Sequence, residues 1–259
     1  MAMFILAQVQ KQGGKALFID AEFAFSKDYA QKIGVDTDKL MVSQPSTAEE
    51  ALDIIDKISK TGEVDIIVLD SVASLVPEKE FEGEISDGGI AIQARIMSKG
   101  LRMLAGNIAK TKTSVIFINQ VRDKVGVFFG NKTTTPGGKA LKFFSSVRLE
   151  VRKGKQIKET RNGKEEVVGN WLGIVAVKNK VGIPWRKAEL ELIFEKGIDI
   201  TGDYLDSCVE EKIISKTGNS HNFGDVALGG SRDKAKKFLT EDKKIFDKIK
   251  KALLDKDAK

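Results

Sequence analysis

The chain has 259 residues, 41% of them apolar, enough for a sizeable buried core and for either one large domain with an appendage or two modest domains. A single cysteine, Cys208, and a single histidine, His221, exclude a disulfide framework and a zinc cluster; no apolar run reaches the roughly 18 residues of a membrane span, and Met1 to Ala7 lack a signal peptide's basic start and cleavage site, so the chain reads as cytoplasmic. The net charge of +6 is concentrated in residues 233–259, where ten lysines face six acids; this favours anionic partners such as nucleic acid, although Lys-rich solvated helices are commoner than binding sites.

Residues 2–12 predict a helix entered partway through and stopped by Gly13-Gly14, and residues 15–20 predict a short buried strand. Ser46 and Thr47, each with a glutamate three residues on, form overlapping capping boxes before a helix with Ala48, Ala51, Leu52, Ile55 and Ile58 on one face. A strand at 64–70 follows, then a long helix from Ile90 to Lys110 with Ala94, Met97, Leu101, Leu104 and Ile108 towards the core, then a buried strand at 113–119. Strands alternating with helices predict an α/β fold with a mostly parallel sheet covered on both faces. Beyond a long basic loop, residues 146–152 alternate, Arg161-Asn162-Gly163-Lys164 is a type I′ turn signal leading to 167–178, and 189–194 alternates again, so an antiparallel extension is expected. Residues 197–259 read as a small, mainly helical appendage, giving a core at 1–195 and a C-terminal domain at 196–259.

Two strands end in carboxylates, at Asp20-Ala-Glu22 and at Asp70-Ser71. In a parallel sheet both lie at the carboxyl edge, where ligands of such folds bind. The second has the form of a Walker B strand, whose Asp holds Mg²⁺ through water, but apolar strands end in Asp in many sheets without a nucleotide. Glu22 and Gln120, at the ends of neighbouring strands, add a base and an amide, which are parts of a phosphoryl-transfer site. Gln120 opens into a run built to hold a polyanion: Arg122, Lys124, Lys132 and Lys139, several threonines, Gly137-Gly138, and a pair Phe128-Phe129 with no evident core to fill. On the long helix, Arg95, Lys99 and Arg102 form one stripe that can track phosphates, with a solvated face as the ordinary alternative. Lys178 and Lys180 point to one side of a strand, a pattern equally suited to edge protection.

The run from Phe117 to Phe144 closely resembles the second DNA-binding loop of the bacterial RecA recombinases, and the resemblance extends from residue 2 to about residue 254. It implies a RecA-like P-loop NTPase core and a small α/β C-terminal domain. It also implies that Glu22 activates the hydrolytic water, that Asp70 and Ser71 serve Mg²⁺ and ATP, that Tyr29 stacks on adenine, and that Gln120 couples nucleotide state to DNA. Residues 82–90 resemble the first DNA loop, with Gly88-Gly89 in place of Ser-His; Ile90 is then a wedge between bases, and Arg95 and Arg102 are phosphate contacts. By the same resemblance Arg122, Gly137, Gly138 and Lys139 hold DNA backbone, and Phe129 occupies a second-loop apolar position. Lys178 and Lys180 reach the ATP of an adjacent subunit; Phe143 lies at the subunit interface or, as a core aromatic, does not. The basic C-terminal segment resembles a domain that gathers duplex DNA, through Lys234, Lys236, Lys237, Lys243 and Lys244.

The implied activity is that of an ATP-dependent helical filament on single-stranded DNA that searches duplex DNA and exchanges strands in recombination and repair, and that triggers cleavage of the SOS repressor after DNA damage. No Gly-x-x-x-x-Gly-Lys-Ser/Thr occurs in the 259 residues, and residues 2–14 match the helix that follows that loop in the family. The chain therefore reads as truncated before the P-loop, with poor ATP hydrolysis expected. Two alternatives stand beside this reading: a DNA-binding remnant or regulator indifferent to nucleotide, and an inert fragment that cannot assemble.

Overall fold

A computed structural model describes residues 1–81, 90–123, 133–161, 163–194 and 196–257. The expectations at residues 82–89, Lys124, Phe128, Phe129, Lys132 and Asn162 lie outside these residues, as does the side chain of Ile90. The chain forms two compact units, residues 1–149 with 176–185, and residues 150–175 with 186–259.

In the first unit, α1 (Ala2–Lys11) precedes β1 (Ala16–Asp20), α2 (Lys27–Ile33), β2 (Met41–Ser43), α3 (Ala48–Thr61) and β3 (Ile66–Asp70). A short α4 (Glu78–Phe81), the long α5 (Ile90–Thr111) and β4 (Ser114–Phe117) follow. The four strands form a parallel sheet in the order β2-β1-β3-β4. Because side chains alternate across a strand, Leu17, Ile19, Ile67 and Leu69 enter one core with α3 and α5, while Ala16, Phe18, Ile66 and Val68 enter another with residues of α1 and α2. This two-sided burial explains why β1 and β3 read as unbroken apolar runs.

Thr47 caps α3 by accepting the Glu50 N–H, while the Glu50 carboxylate accepts the Ser46 N–H. The reciprocal bond of the expected capping box thus lands one residue early. Ala48, Ala51, Leu52 and Ile55 are buried as the periodicity requires, and so are Met97, Leu101 and Leu104 of α5. The two helices meet closely at Gly100, where a Cβ would lie 2.7 Å from Leu52 Cδ1, and again where Asn107 donates to Asp56 at 2.6 Å.

One expectation needs correction. The strand at 113–119 is not buried: β4 is the outer strand of the sheet, with Ser114 exposed and the rest half-buried. Several short elements were not foreseen, among them α2 and β2, of 7 and 3 residues, which are too short to show a period.

β5 (Arg122–Asp123) and β6 (Thr133–Thr134) pair antiparallel, and α6 (Ala140–Phe144) follows. β7 (Val147–Arg161), β8 (Lys164–Asn179), β9 (Lys187–Ile193) and β10 (Gly197–Ile198) form a second sheet in the order β10-β9-β8-β7, antiparallel where β8 meets β9 and β9 meets β10. The rest of the second unit comprises α7 (Ile200–Glu210), three short antiparallel strands β11 (Ser215–Thr217), β12 (Ser220–Phe223) and β13 (Val226–Gly229), then α8 (Arg232–Glu241) and α9 (Lys243–Asp257). Leu205, Cys208, Ile214, Leu228, Ala235, Leu239 and Ile249 form its core. The three strands, Ser-Lys-Thr, Ser-His-Asn-Phe and Val-Ala-Leu-Gly, are too short and lack the apolar alternation that would have announced them. Among the described residues no helix is long and apolar enough to cross a membrane.

Candidate functional site

The register that pairs Asp20 with Asp70 brings both strand ends to one edge of the parallel sheet. Asp20 is 2% exposed and accepts from the N–H groups of Ala24 and Phe25 and from Gln44 Nε2, at 3.1, 3.0 and 2.9 Å. Burial opposes its ionisation, but the Gln44 bond and the backbone N–H groups outweigh it and hold the carboxyl below the ordinary range. Asp20 thereby organises the turn that presents Glu22.

Glu22 is the convergence point. Its Oε1 accepts from Ser71 Oγ at 2.6 Å, Ser74 Oγ at 3.2 Å and Gln120 Nε2 at 3.4 Å. Asp70 stands one residue before Ser71, across a cis peptide bond. Its pKa is raised, first by burial, then by the Glu22 and Asp20 carboxylates, with the Met1 ammonium opposing. The structure therefore brings Glu22, Asp70, Ser71 and Gln120 together at one edge, as expected from their strand-end positions. Tyr29 lies on α2 with its ring exposed, its N–H accepted by the capping hydroxyl of Ser26.

The edge continues into the described ends of the basic loop. Asn119 Oδ1 accepts the Gln120 N–H and Asn119 Nδ2 donates to Pro136 O at 3.0 Å. Arg122 pairs with Thr134, so the ladder of β5 and β6 ties the loop ends together. Gly137 and Gly138 have φ of 77° and 75°, a conformation that favours glycine, and a Cβ on Gly137 would meet Val72 Cγ1 at 3.0 Å. Lys139 is exposed, as are Arg95, Lys99 and Arg102, which lie on α5 away from its buried stripe.

Two residues behave differently from the simplest expectation. Lys178 is not a free cation: its Nζ donates to the carbonyls of Lys142 and Phe143 at 2.7 and 2.9 Å, closing the C-terminus of α6. Burial, then Lys180 and Arg148, lower its pKa. Lys180 is exposed. Phe143 is 70% exposed, which removes the reading of it as a core aromatic.

Sequence reasoning missed Ser74 and Gln93. Gln93 Nε2 donates to Val72 O and Leu75 O, both at 2.9 Å, and Gln93 Oε1 accepts the Gly137 N–H at 3.1 Å. The available signal was a polar residue four positions before buried Met97, on the apolar stripe of α5.

A parallel sheet whose carboxyl edge carries two strand-end carboxylates, a third carboxylate and an amide belongs to the class of α/β proteins that bind ligands at that edge. Comparison with known proteins narrows the class. Residues 1–199 match the RecA N-terminal domain model and residues 202–257 match the RecA C-terminal domain model. Protein RecA of Bacillus licheniformis is 50% identical over 246 residues, covering 95% of this chain and 70% of its own. Protein RecA of Lactobacillus johnsonii is 47% identical over 250 residues, with 96% and 68% covered, and that of Lactiplantibacillus plantarum 47% over 255 residues, with 98% and 66% covered. The chain thus spans about two thirds of the length of such relatives. A crystal structure of the RadB recombinase aligns with TM-score 0.51 at 20% identity over 76% of this chain and 83% of that one, a likeness of fold. The chain belongs to the RecA family of recombinases.

Proposed function

We propose that the chain acts as a RecA-type recombinase: it binds single-stranded DNA as a helical, ATP-dependent filament and pairs it with duplex DNA in homologous recombination, repair and the SOS damage response, with cleavage of the SOS repressor as one output. The observation that carries this reading is the bond from Gln120 to Glu22 at 3.4 Å, because Gln120 leads within two residues into the ladder at the foot of the basic loop. An amide that senses the state of a catalytic base is thereby joined to a segment suited to polyanions.

Glu22 is the proposed base for the attacking water: one oxygen takes three donors and the other takes none among the described residues. Mg²⁺ fits Asp70 as a hydrated, hard cation shared with nucleotide phosphates. No group of three or more His, Cys, Asp or Glu among the described residues could hold a metal alone, and Asp70 already faces the carboxylates of Glu22 and Asp20, so a cation there offsets their mutual repulsion. Ser71 and Tyr29 are proposed contacts of ATP, and the exposed Lys180 and Phe143 are proposed contacts with an adjacent copy; Lys178 would have to leave the α6 carbonyls to do the same. Ile90, Arg95, Arg102, Arg122, Phe129, Gly137, Gly138 and Lys139 are the proposed DNA contacts. We place the division between core and C-terminal domain near residue 196, a reading supported by the change from one family model to the other between residues 199 and 202.

A second reading, DNA binding indifferent to nucleotide, is favoured by the engagement of Lys178 within its own chain. Fluorescence anisotropy with a labelled single-stranded oligonucleotide, with and without Mg-ATP or a non-hydrolysable analogue, separates the two. Nucleotide-enhanced, cooperative binding supports the recombinase, equal binding supports the second reading, and absence of binding at low salt sinks both.

A further inference from the structure

The carbonyl of Pro136 and the N–H of Gly137 belong to one peptide group, and both of its polar atoms are held by side-chain amides. Asn119 Nδ2 takes the carbonyl at 3.0 Å and Gln93 Oε1 takes the N–H at 3.1 Å. The two amides come from different directions. Asn119 ends the outer strand beside Gln120, whereas Gln93 lies in the first turn of α5 and donates both of its own N–H bonds to Val72 O and Leu75 O. Those carbonyls flank the turn whose Ser71 and Ser74 hydroxyls bond Glu22. Gly137 packs against the same turn, where an added Cβ would come within 3.0 Å of Val72 Cγ1.

We propose that Gln93 is a positioning residue that links the closing end of the basic loop and the start of α5 to the turn holding Glu22, forming a second connection parallel to the one through Gln120. The inference rests on the proposed DNA-binding role of that loop. Its physical basis is that the Gln93 amide uses three hydrogen bonds on two other segments, so displacement of the Pro136–Gly137 peptide must either break a bond or move the 72–75 turn with it.

The test is amide hydrogen exchange on the 259-residue chain with Mg²⁺ and a non-hydrolysable ATP analogue, without DNA and saturated with oligo(dT), for wild type and Gln93→Met, with Gln93→Ala as a second variant should the first fail to fold. In the wild type, DNA is expected to slow exchange at both 133–140 and 71–75. In the variants the response at 133–140 persists while that at 71–75 disappears, and affinity for oligo(dT) falls about tenfold, as for loss of an anchoring hydrogen bond of roughly 1.4 kcal/mol. An unchanged response at 71–75 in a folded variant overturns the inference and leaves the proposed function standing. If the wild type does not bind oligo(dT), the function and the inference fall together, even where faster exchange of Gly137 in the free variant shows that the clamp exists.

Discussion

Asp70 and Lys178 are both shifted away from easy ionisation, with consequences that can be measured residue by residue. For Asp70 the folded-state pKa is raised, so its contribution to stability is fully present below the ordinary carboxylate range and is lost as pH rises through the raised value. Above that raised value the ionised side chain therefore weighs against folding. Asp70→Asn is expected to raise the melting temperature at neutral pH, with the gain shrinking towards zero as pH falls through the ordinary carboxylate range; thermal unfolding across a pH series checks the sign. Lys178→Met removes two bonds to the end of α6 and is expected to cost about 1 kcal/mol in denaturant unfolding. A measured cost near zero would instead mean that the ammonium is free to serve a neighbouring copy.

Among the elements, α3 and the loop-closing glycines are the most exposed to test. Thr47→Ala deletes the cap of α3 and is expected to destabilise the chain by about 1 kcal/mol, readable as a shift of the urea midpoint. Gly137→Ala forces a side chain into a positive-φ position and against Val72 and Met97. A loss of about 1–2 kcal/mol is expected, together with weaker oligonucleotide binding than the stability change explains. These features differ in how far they could be read in advance. The α3 cap followed from adjacent residues, and the carboxylates of β1 and β3 followed from apolar runs that end in Asp. The Lys178 contact could not be read, because it needs α6 and the end of β8 to meet, residues 35 and 36 positions apart in the chain. Burial of β4 was overestimated because an outer strand and an inner one carry the same short apolar signature.

For the whole molecule, charge is handled differently in the two units. In the second, Arg232 holds Asp206 through Nε and Nη2 and Glu191 through Nη1 at 2.7 Å, and Lys236 binds Glu191 at 2.8 Å and also Asp199. Burial opposes ionisation of Asp199, but Lys236 and the Gly202 N–H overcome it and its pKa is lowered. Stability from this group is present above the ordinary carboxylate range and is lost as pH falls through the lowered value, the reverse of Asp70. Acid unfolding followed by Tyr and Trp fluorescence is accordingly expected to begin at higher pH in Lys236→Met than in wild type. With a net charge of +6, oligonucleotide affinity should fall linearly on a log–log plot against salt, and Arg95→Ala should flatten that slope. The close approach at Gly100 also has a mechanical meaning. With Leu52 seated in that notch and Asn107 fastened to Asp56, the C-terminal half of α5 is pinned to α3. The eleven residues from Ile90 to Gly100, about 15 Å of helix, form a lever arm beyond that notch, and by the role proposed for Arg95 a load there is expected to tilt the end that carries Gln93 and not to slide the whole helix past α3.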